Sequence, residues 1–297
     1  FAAAFKESDV VELLSISDHL VFNSFNQLER FRPLWEKEQG RVSIGLRVNP
    51  EHSEGHTELY DPCAPNSRLG IKRSEFEGKS LDGIEGLHFH TLCEHLFGPL
   101  ARTVEVFEEK FGAFLPQMKW INLGGGHHIT REGYDLDGLV DLVRYLKDKY
   151  DVEVYLEPGE AIAIGTGLLV GEVLDVVPGE IETAILDVSA TCHMPDILEM
   201  PYRPEIAGGY DPGVKAQTYR LGGPSCLAGD IIGDWSFESS LKPGDRLAFL
   251  DMAHYTMVKT TTFNGVQHPH LCTYEPETGE LQVVRSFGYE DFRGRLS

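Results

Sequence analysis

The chain has 297 residues, 41% hydrophobic and 25% charged, enough for a large core and two domains of ordinary globular composition. Lysine and arginine number 26 against 47 acids, a formal charge of −21, which repels phosphate backbones and sets nucleic acid aside as a partner. No apolar run is long enough to span a membrane and no charged-then-apolar leader opens the chain. Five scattered cysteines without a CxxC pair fit reduced thiols in the cytoplasm better than a disulfide framework or structural zinc. Most of the acidic surface needs no explanation beyond solubility, though a polycationic small substrate would suit it.

In chain order, helical spacing over 7–17 (Val10, Val11, Leu13, Leu14) precedes a strand at 19–24. A helix over 25–37 leads to a strand at 42–49, and after a polar loop comes a strand at 84–90. A helix over 103–114 leads to a strand at 119–123, and a helix over 137–150 to a strand at 152–156. Five βα units in succession mark a parallel barrel or open sheet. From residue 168 the pattern changes to short strands with turns, at 168–177, 181–188, 246–250 and 282–287. The expected fold class is therefore α/β, a parallel (β/α)8 TIM-type barrel over residues 1–165 followed by a β-rich domain over 166–297. A closed barrel needs more strands than these, so the missing ones are expected before Phe1.

Strand ends carry the chemistry. Glu157 closes the strand at 152–156, Pro158-Gly159 breaks it, and Glu160 follows. In a barrel these two acids would share one catalytic mouth, although solvated acids at a turn are about as good a reading of this stretch alone. The run Leu123-Gly-Gly-Gly-His-His128 ends another strand. Gly124, Gly125 and Gly126 would let backbone amides approach a phosphate, or else serve a tight turn that needs positive φ. His88 and His90 alternate onto one face. They could ligate zinc, but no HExxH helix and no third ligand at suitable spacing accompanies them; one could instead stack on an aromatic cofactor. Further on, Gly222-Gly-Pro-Ser-Cys226-Leu-Ala-Gly-Asp230 offers a thiol that could donate a proton and an acid that could hold a cation, against a bland reading as packing. Ala253-His-Tyr255-Thr-Met and Thr262-Phe-Asn-Gly265 flank a polar run whose tyrosine could hydrogen-bond a phosphate.

Taken together, HFH at 88–90, LGGGHH, EPGEA, GGPSCLAGD and HYTM with TFNG stand in the order seen in fold-type III, pyridoxal-phosphate-dependent decarboxylases, which the whole chain resembles. The strings His88-Phe-His-Thr-Leu-Cys-Glu94, Ala190-Thr-Cys-His-Met-Pro-Asp196 and His254-Tyr-Thr-Met-Val-Lys259 resemble the carboxynorspermidine and carboxyspermidine decarboxylase branch. The resemblance implies that Glu157 pairs with the pyridine nitrogen and His90 stacks on the ring. It implies that Gly124, Gly125, Gly126, Tyr255 and Cys93 hold the phosphate, although Cys93 falls where relatives often have serine. Cys226 would return a proton to the substrate Cα and Asp230 would grip a distal amine, both reaching the site from the partner in a homodimer with shared active sites. Glu160 and Asp196 match acidic substrate contacts for the ammonium groups of a carboxylated polyamine. No metal is implied. The lysine that such enzymes bond to the cofactor matches none of the lysines here and is expected before Phe1. A diaminopimelate decarboxylase is the enzymatic alternative, but its second carboxylate wants an arginine where this chain offers acids, Arg203 being the one candidate. A binding homologue without catalysis is the alternative outside enzymes, and a metal hydrolase comes third.

Overall fold

A computed structural model describes residues 1–55 and 58–296. The chain divides into two compact units, Phe1–Ile162 and Ala163–Ser297.

The first unit is built on parallel strands: β1 (His19–Phe22), β2 (Ser43–Asn49), β3 (Ile71–Lys72), β4 (Gly86–His88), β5 (Trp120–Asn122) and β6 (Glu153–Tyr155). Their order is β1-β2-β4-β5-β6, with β3 on the end of β2. Parallel neighbours need crossovers, which helices largely supply. After α1 (Glu7–Ile16), helices α2 (Phe25–Arg30) and α3 (Arg32–Trp35) join β1 to β2; α4 (Phe97–Phe111) joins β4 to β5, and α5 (Leu136–Tyr150) joins β5 to β6. This is the run of βα units expected of a barrel-type fold.

Register explains the two faces of this sheet. Leu46, Leu87 and Ile121 are partners on β2, β4 and β5, fully buried in the apolar core with Val104, Phe107 and Phe111 of α4. Residues one step away face the other side. There Gly45, Gly86 and Trp120 are register partners, and the indole lies flat over both glycines. A Cβ built at Gly86 would stand 2.0 Å from Trp120 Cδ2, and one at Gly45 2.3 Å from Cη2. Trp120 Nε1 donates to Ser43 Oγ at 2.8 Å, so the ring cannot swing away without losing that bond.

Two helices depart from expectation. The helix predicted over 25–37 breaks at Phe31 (φ −100, ψ 8), because Pro33 supplies no amide to continue the ladder. α4 begins at Phe97 rather than 103, with Pro99 in its first turn, where a missing N–H costs nothing.

The short α6 (Gly159–Ala163) crosses the division between units. In the second unit β7 (Leu169–Val177), β8 (Glu182–Leu186), β9 (Gln217–Gly222), β10 (Ile231–Phe237) and β11 (Arg246–Phe249) form one sheet in the order β10-β9-β8-β7-β11. All its pairs are antiparallel except β8 with β9. Val173, Leu186, Tyr219, Leu221, Trp235 and Phe249 fill its core. Short helices α7 (Ala190–His193), α8 (Asp196–Glu199) and α9 (Thr256–Lys259) lie in the connections. A hairpin of β12 (Leu271–Glu275) and β13 (Glu280–Arg285), then α10 (Tyr289–Leu296), completes the unit. The pattern does not reveal β9, β10 or β12: β9 has only Tyr219 and Leu221 to alternate, and Gly233 puts a register shift into β10.

Candidate active site

One layer beyond Gly45, Gly86 and Trp120, the partners Arg47, His88 and Asn122 point the same way. His90, the glycine run and Glu157 follow just past the strand ends. Glu157 is the hub. Asn122 Nδ2 donates to its Oε1 at 2.9 Å, and His90 Nδ1 lies 3.2 Å from Oε2. His88 Nε2 lies 3.3 Å from Oε1, within ion-pair range but off line for a hydrogen bond, and both His88 ring nitrogens are buried without a hydrogen-bond partner. Burial opposes ionisation of Glu157, but the two imidazoles outweigh it and hold the carboxyl well below the usual carboxylate range. Burial likewise lowers the His88 pKa. Arg47, whose Nη2 donates to His90 O at 2.9 Å, is brought down to about 10 by burial, with Glu157 opposing the shift. His88, His90 and Glu157 bring ligand-type atoms within 4.8 Å of one another. The fold thus provides a third metal-ligand type beside the two histidines that spacing alone did not reveal.

The glycine run crosses these strand ends closely. A Cβ at Gly125 would lie 2.1 Å from Glu157 O, and one at Gly126 1.9 Å from Leu92 O. Gly124 and Gly126 also have φ of +71 and +77. The amide of Gly124 donates to Asn122 Oδ1 at 2.8 Å, and the Gly125 amide nitrogen stands 3.3 Å from His90 Nδ1. Tight crossing therefore requires glycine here. Cys93 is half-buried beside this run, with burial raising its thiol pKa. His128 Nδ1 meets Glu160 Oε2 at 2.8 Å, so Glu160 is tied to the end of the glycine run. The Tyr134 hydroxyl and His127 Nδ1 share a hydrogen bond at 2.6 Å, and burial brings the His127 pKa down to about 4.

In the second unit Cys226 is exposed in the connection between β9 and β10, its amide donating to Asn264 Oδ1 at 2.8 Å. Asp230 turns inward, buried and hydrogen-bonded within the unit, rather than outward toward a ligand as expected. Asp196 is half-buried and ion-paired with Lys259, which also bonds Glu199 Oε2 at 2.6 Å. Burial opposes the charge on Lys259, but the two acids prevail and raise its pKa. Tyr255 precedes α9 with φ +51, a conformation rare for a non-glycine residue, and presents its ring to solvent. Other lysines are engaged elsewhere: Lys72 with Glu51, Lys110 with Pro50 O, Lys147 with Glu153 and Lys149 with Glu108.

Sequence reasoning passed over Arg47 and Asn122, and gave Asn264 no role of its own within the Thr262-Phe-Asn-Gly265 run. Arg47 did leave a signal, a charge inside an otherwise apolar strand.

The residues of the first unit fit a pyridine ring. An ionised acid stands at a strand end where it could pair with the ring nitrogen, a partly exposed imidazole beside it could cover the ring face, and the glycine crossing runs past both. Comparison with known proteins agrees. Residues 57–253 match the family model described as pyridoxal-dependent decarboxylase, C-terminal sheet domain. A carboxynorspermidine/carboxyspermidine decarboxylase of Campylobacter jejuni is 45% identical, covering 98% of this chain and 78% of that protein. A carboxyaminopropylagmatine decarboxylase of Synechocystis is also 45% identical, covering 100% of this chain and 76% of that protein. A crystal structure of carboxynorspermidine decarboxylase from Campylobacter jejuni, complexed with norspermidine, superposes with a TM-score of 0.88 at 44% identity, covering 99% of this chain and 79% of that one. A diaminopimelate decarboxylase structure shares the fold at a TM-score of 0.82, with 17% identity over 99% of this chain and 75% of its own. By sequence, fold and the groups gathered around Glu157, this chain belongs to the pyridoxal-dependent decarboxylase family.

Proposed function

We propose that this protein decarboxylates carboxynorspermidine and carboxyspermidine, releasing norspermidine and spermidine in polyamine biosynthesis. The observation that carries the substrate is 45% identity, over 98% of the chain, with a relative named for these two compounds. Pyridoxal phosphate supplies an electron sink for the pair released when the α-carboxyl leaves, provided its ring nitrogen stays protonated. Glu157, held ionised by its imidazole neighbours, keeps that proton in place. His90 covers the ring face, while Gly124, Gly125, Gly126, Tyr255 and Cys93 hold the phosphate. Cys226 hands a proton to the substrate Cα after CO₂ departs. Glu160 and Asp196 meet the ammonium groups of the tail, in keeping with a chain of formal charge −21.

The working unit in this reading is a homodimer, in which residues 166–297 of one protomer complete the cofactor site carried by residues 1–165 of the other. Five free cysteines suit the cytoplasm.

The Synechocystis relative favours a second substrate, carboxyaminopropylagmatine, at the same 45% identity. A planar terminal guanidinium would replace an ammonium, and the two are not interchangeable where a carboxylate must be met. Measuring CO₂ release from full-length enzyme with carboxynorspermidine, carboxyspermidine, carboxyaminopropylagmatine and diaminopimelate decides. The first two should have the highest kcat/KM. Faster turnover of carboxyaminopropylagmatine moves the assignment to that compound, and turnover of diaminopimelate alone ends it.

A further inference from the structure

The connection from β9 to β10 closes on itself, Gly223 N–H donating to Asp230 O at 2.9 Å and Asp230 N–H to Leu227 O at 2.9 Å. Cys226 is left outside, while the Asp230 side chain turns in and is only 3% exposed. Its Oδ2 accepts from the Ser225 amide at 3.1 Å and its Oδ1 from the Thr191 amide at 3.1 Å. Ser189 Oγ sits astride both oxygens, at 3.0 and 2.8 Å. Three hydrogens, two from amides and one from a hydroxyl, thus converge on the two oxygens. Gly223 makes the arrangement possible, since a Cβ there would stand 2.4 Å from Oδ2.

The bonds continue outward from this carboxylate. Ser189 Oγ accepts from the Cys192 amide at 3.0 Å, and His193 Nδ1 accepts from the Ser189 amide at 3.1 Å. That leaves His193 Nε2 to donate to Gln267 O at 3.0 Å. Thr261 N–H donates to Cys192 O at 2.8 Å, and Asn264 Oδ1 takes the Cys226 amide. The Cys226 connection, α7 and the 261–267 loop are thereby fastened together, with Asp230 in the middle.

We propose that Asp230 is a positioning residue that never touches substrate: its carboxylate fixes the Ser225 amide, and so the thiol of Cys226 one residue on. This replaces the expectation that Asp230 grips a distal amine, because both of its oxygens are engaged inside the fold and the residue is only 3% exposed. The proposal rests on the role given to Cys226 above, and its test separates the two.

In full-length holoenzyme carrying Cys272→Ser, which removes the other exposed thiol, Asp230→Asn is compared with its parent. The amide turns an NH₂ toward an amide donor. Cys226 alkylation by iodoacetamide, followed by mass spectrometry, should change about threefold or more, and kcat should fall about tenfold with KM within about twofold. The cofactor absorption band should stay in place. A KM raised about tenfold, with alkylation and kcat unchanged, would mean direct contact with the substrate amine and overturn the proposal. If Asp230→Asn does not fold, Ser189→Ala takes its place: altered Cys226 alkylation supports the proposal, and unaltered alkylation refutes it. Alkylation needs no substrate, so an error in the substrate assignment would leave that arm standing.

Discussion

Replacing Gly86 with alanine drives a methyl group into the face of Trp120. The new Cβ would lie 2.0 to 2.4 Å from Cδ2, Cε2 and Cε3 of the indole, whereas ordinary contact begins at 3.4 Å. The ring or the strand must therefore move by about 1.4 Å, in a sheet with little room to give. Trp120 is only 4% exposed and is tethered through Ser43, whose hydroxyl in turn donates to Glu85 Oε2 at 2.6 Å. Overpacking of this kind costs about 1–3 kcal/mol, which lowers the melting temperature of a chain this size by about 2–10 °C. The displacement reaches the site as well, because His88 and His90 follow on the same stretch. Differential scanning fluorimetry and fluorescence titration of pyridoxal phosphate into the full-length apoprotein measure both effects. Unchanged melting with unchanged cofactor affinity would refute the packing argument, and recovery in Gly86→Ala/Trp120→Leu would establish its cause.

Other expectations concern the chemistry. Cys226→Ala should lower kcat for carboxynorspermidine by about 10²–10⁴-fold while the cofactor absorption spectrum stays the same; undiminished turnover would remove Cys226 as the proton donor. Glu160→Gln and Asp196→Asn should each raise KM about tenfold, in line with the loss of a charge-assisted hydrogen bond, and leave cofactor affinity alone; equal loss of both would contradict the substrate role. His127, 2% exposed, is held by burial at a pKa of about 4 against 6.5 unfolded. Unfolding therefore takes up a proton between those values, so its contribution is complete above pH 6.5 and drains away as pH falls toward 4. The gap is worth about 3 kcal/mol. Urea unfolding at pH 7.5 and 5 should show about 2 kcal/mol of this loss in the wild type and a smaller one in His127→Phe; parallel losses would show that another group is responsible.

Residues that announce themselves are those at strand ends. Glu157, His90 and the glycine run sit where a βα rhythm breaks, and their chemistry is unusual for a turn. How their supports group together is legible only through register. Arg47, His88 and Asn122 share a layer because three strands pair at particular positions, and no local pattern encodes that pairing. Asp230 shows the limit most clearly. In the sequence it is an acid in a glycine-rich loop, which suggests exposure; in the fold Ser189, 41 residues earlier, comes to lie against it and it is buried. β9 and β10 escape the pattern because β9 alternates only through Tyr219 and Leu221, and Gly233 interrupts the rhythm of β10.

A flat indole spanning two neighbouring strands also constrains how this sequence can drift. Gly45, Gly86 and Trp120 amount to one inherited trait: neither glycine can gain a side chain without displacing the ring, and losing the ring would hollow out the layer below Arg47, His88 and Asn122. Homologous lineages should therefore exchange all three positions as a set or keep all three.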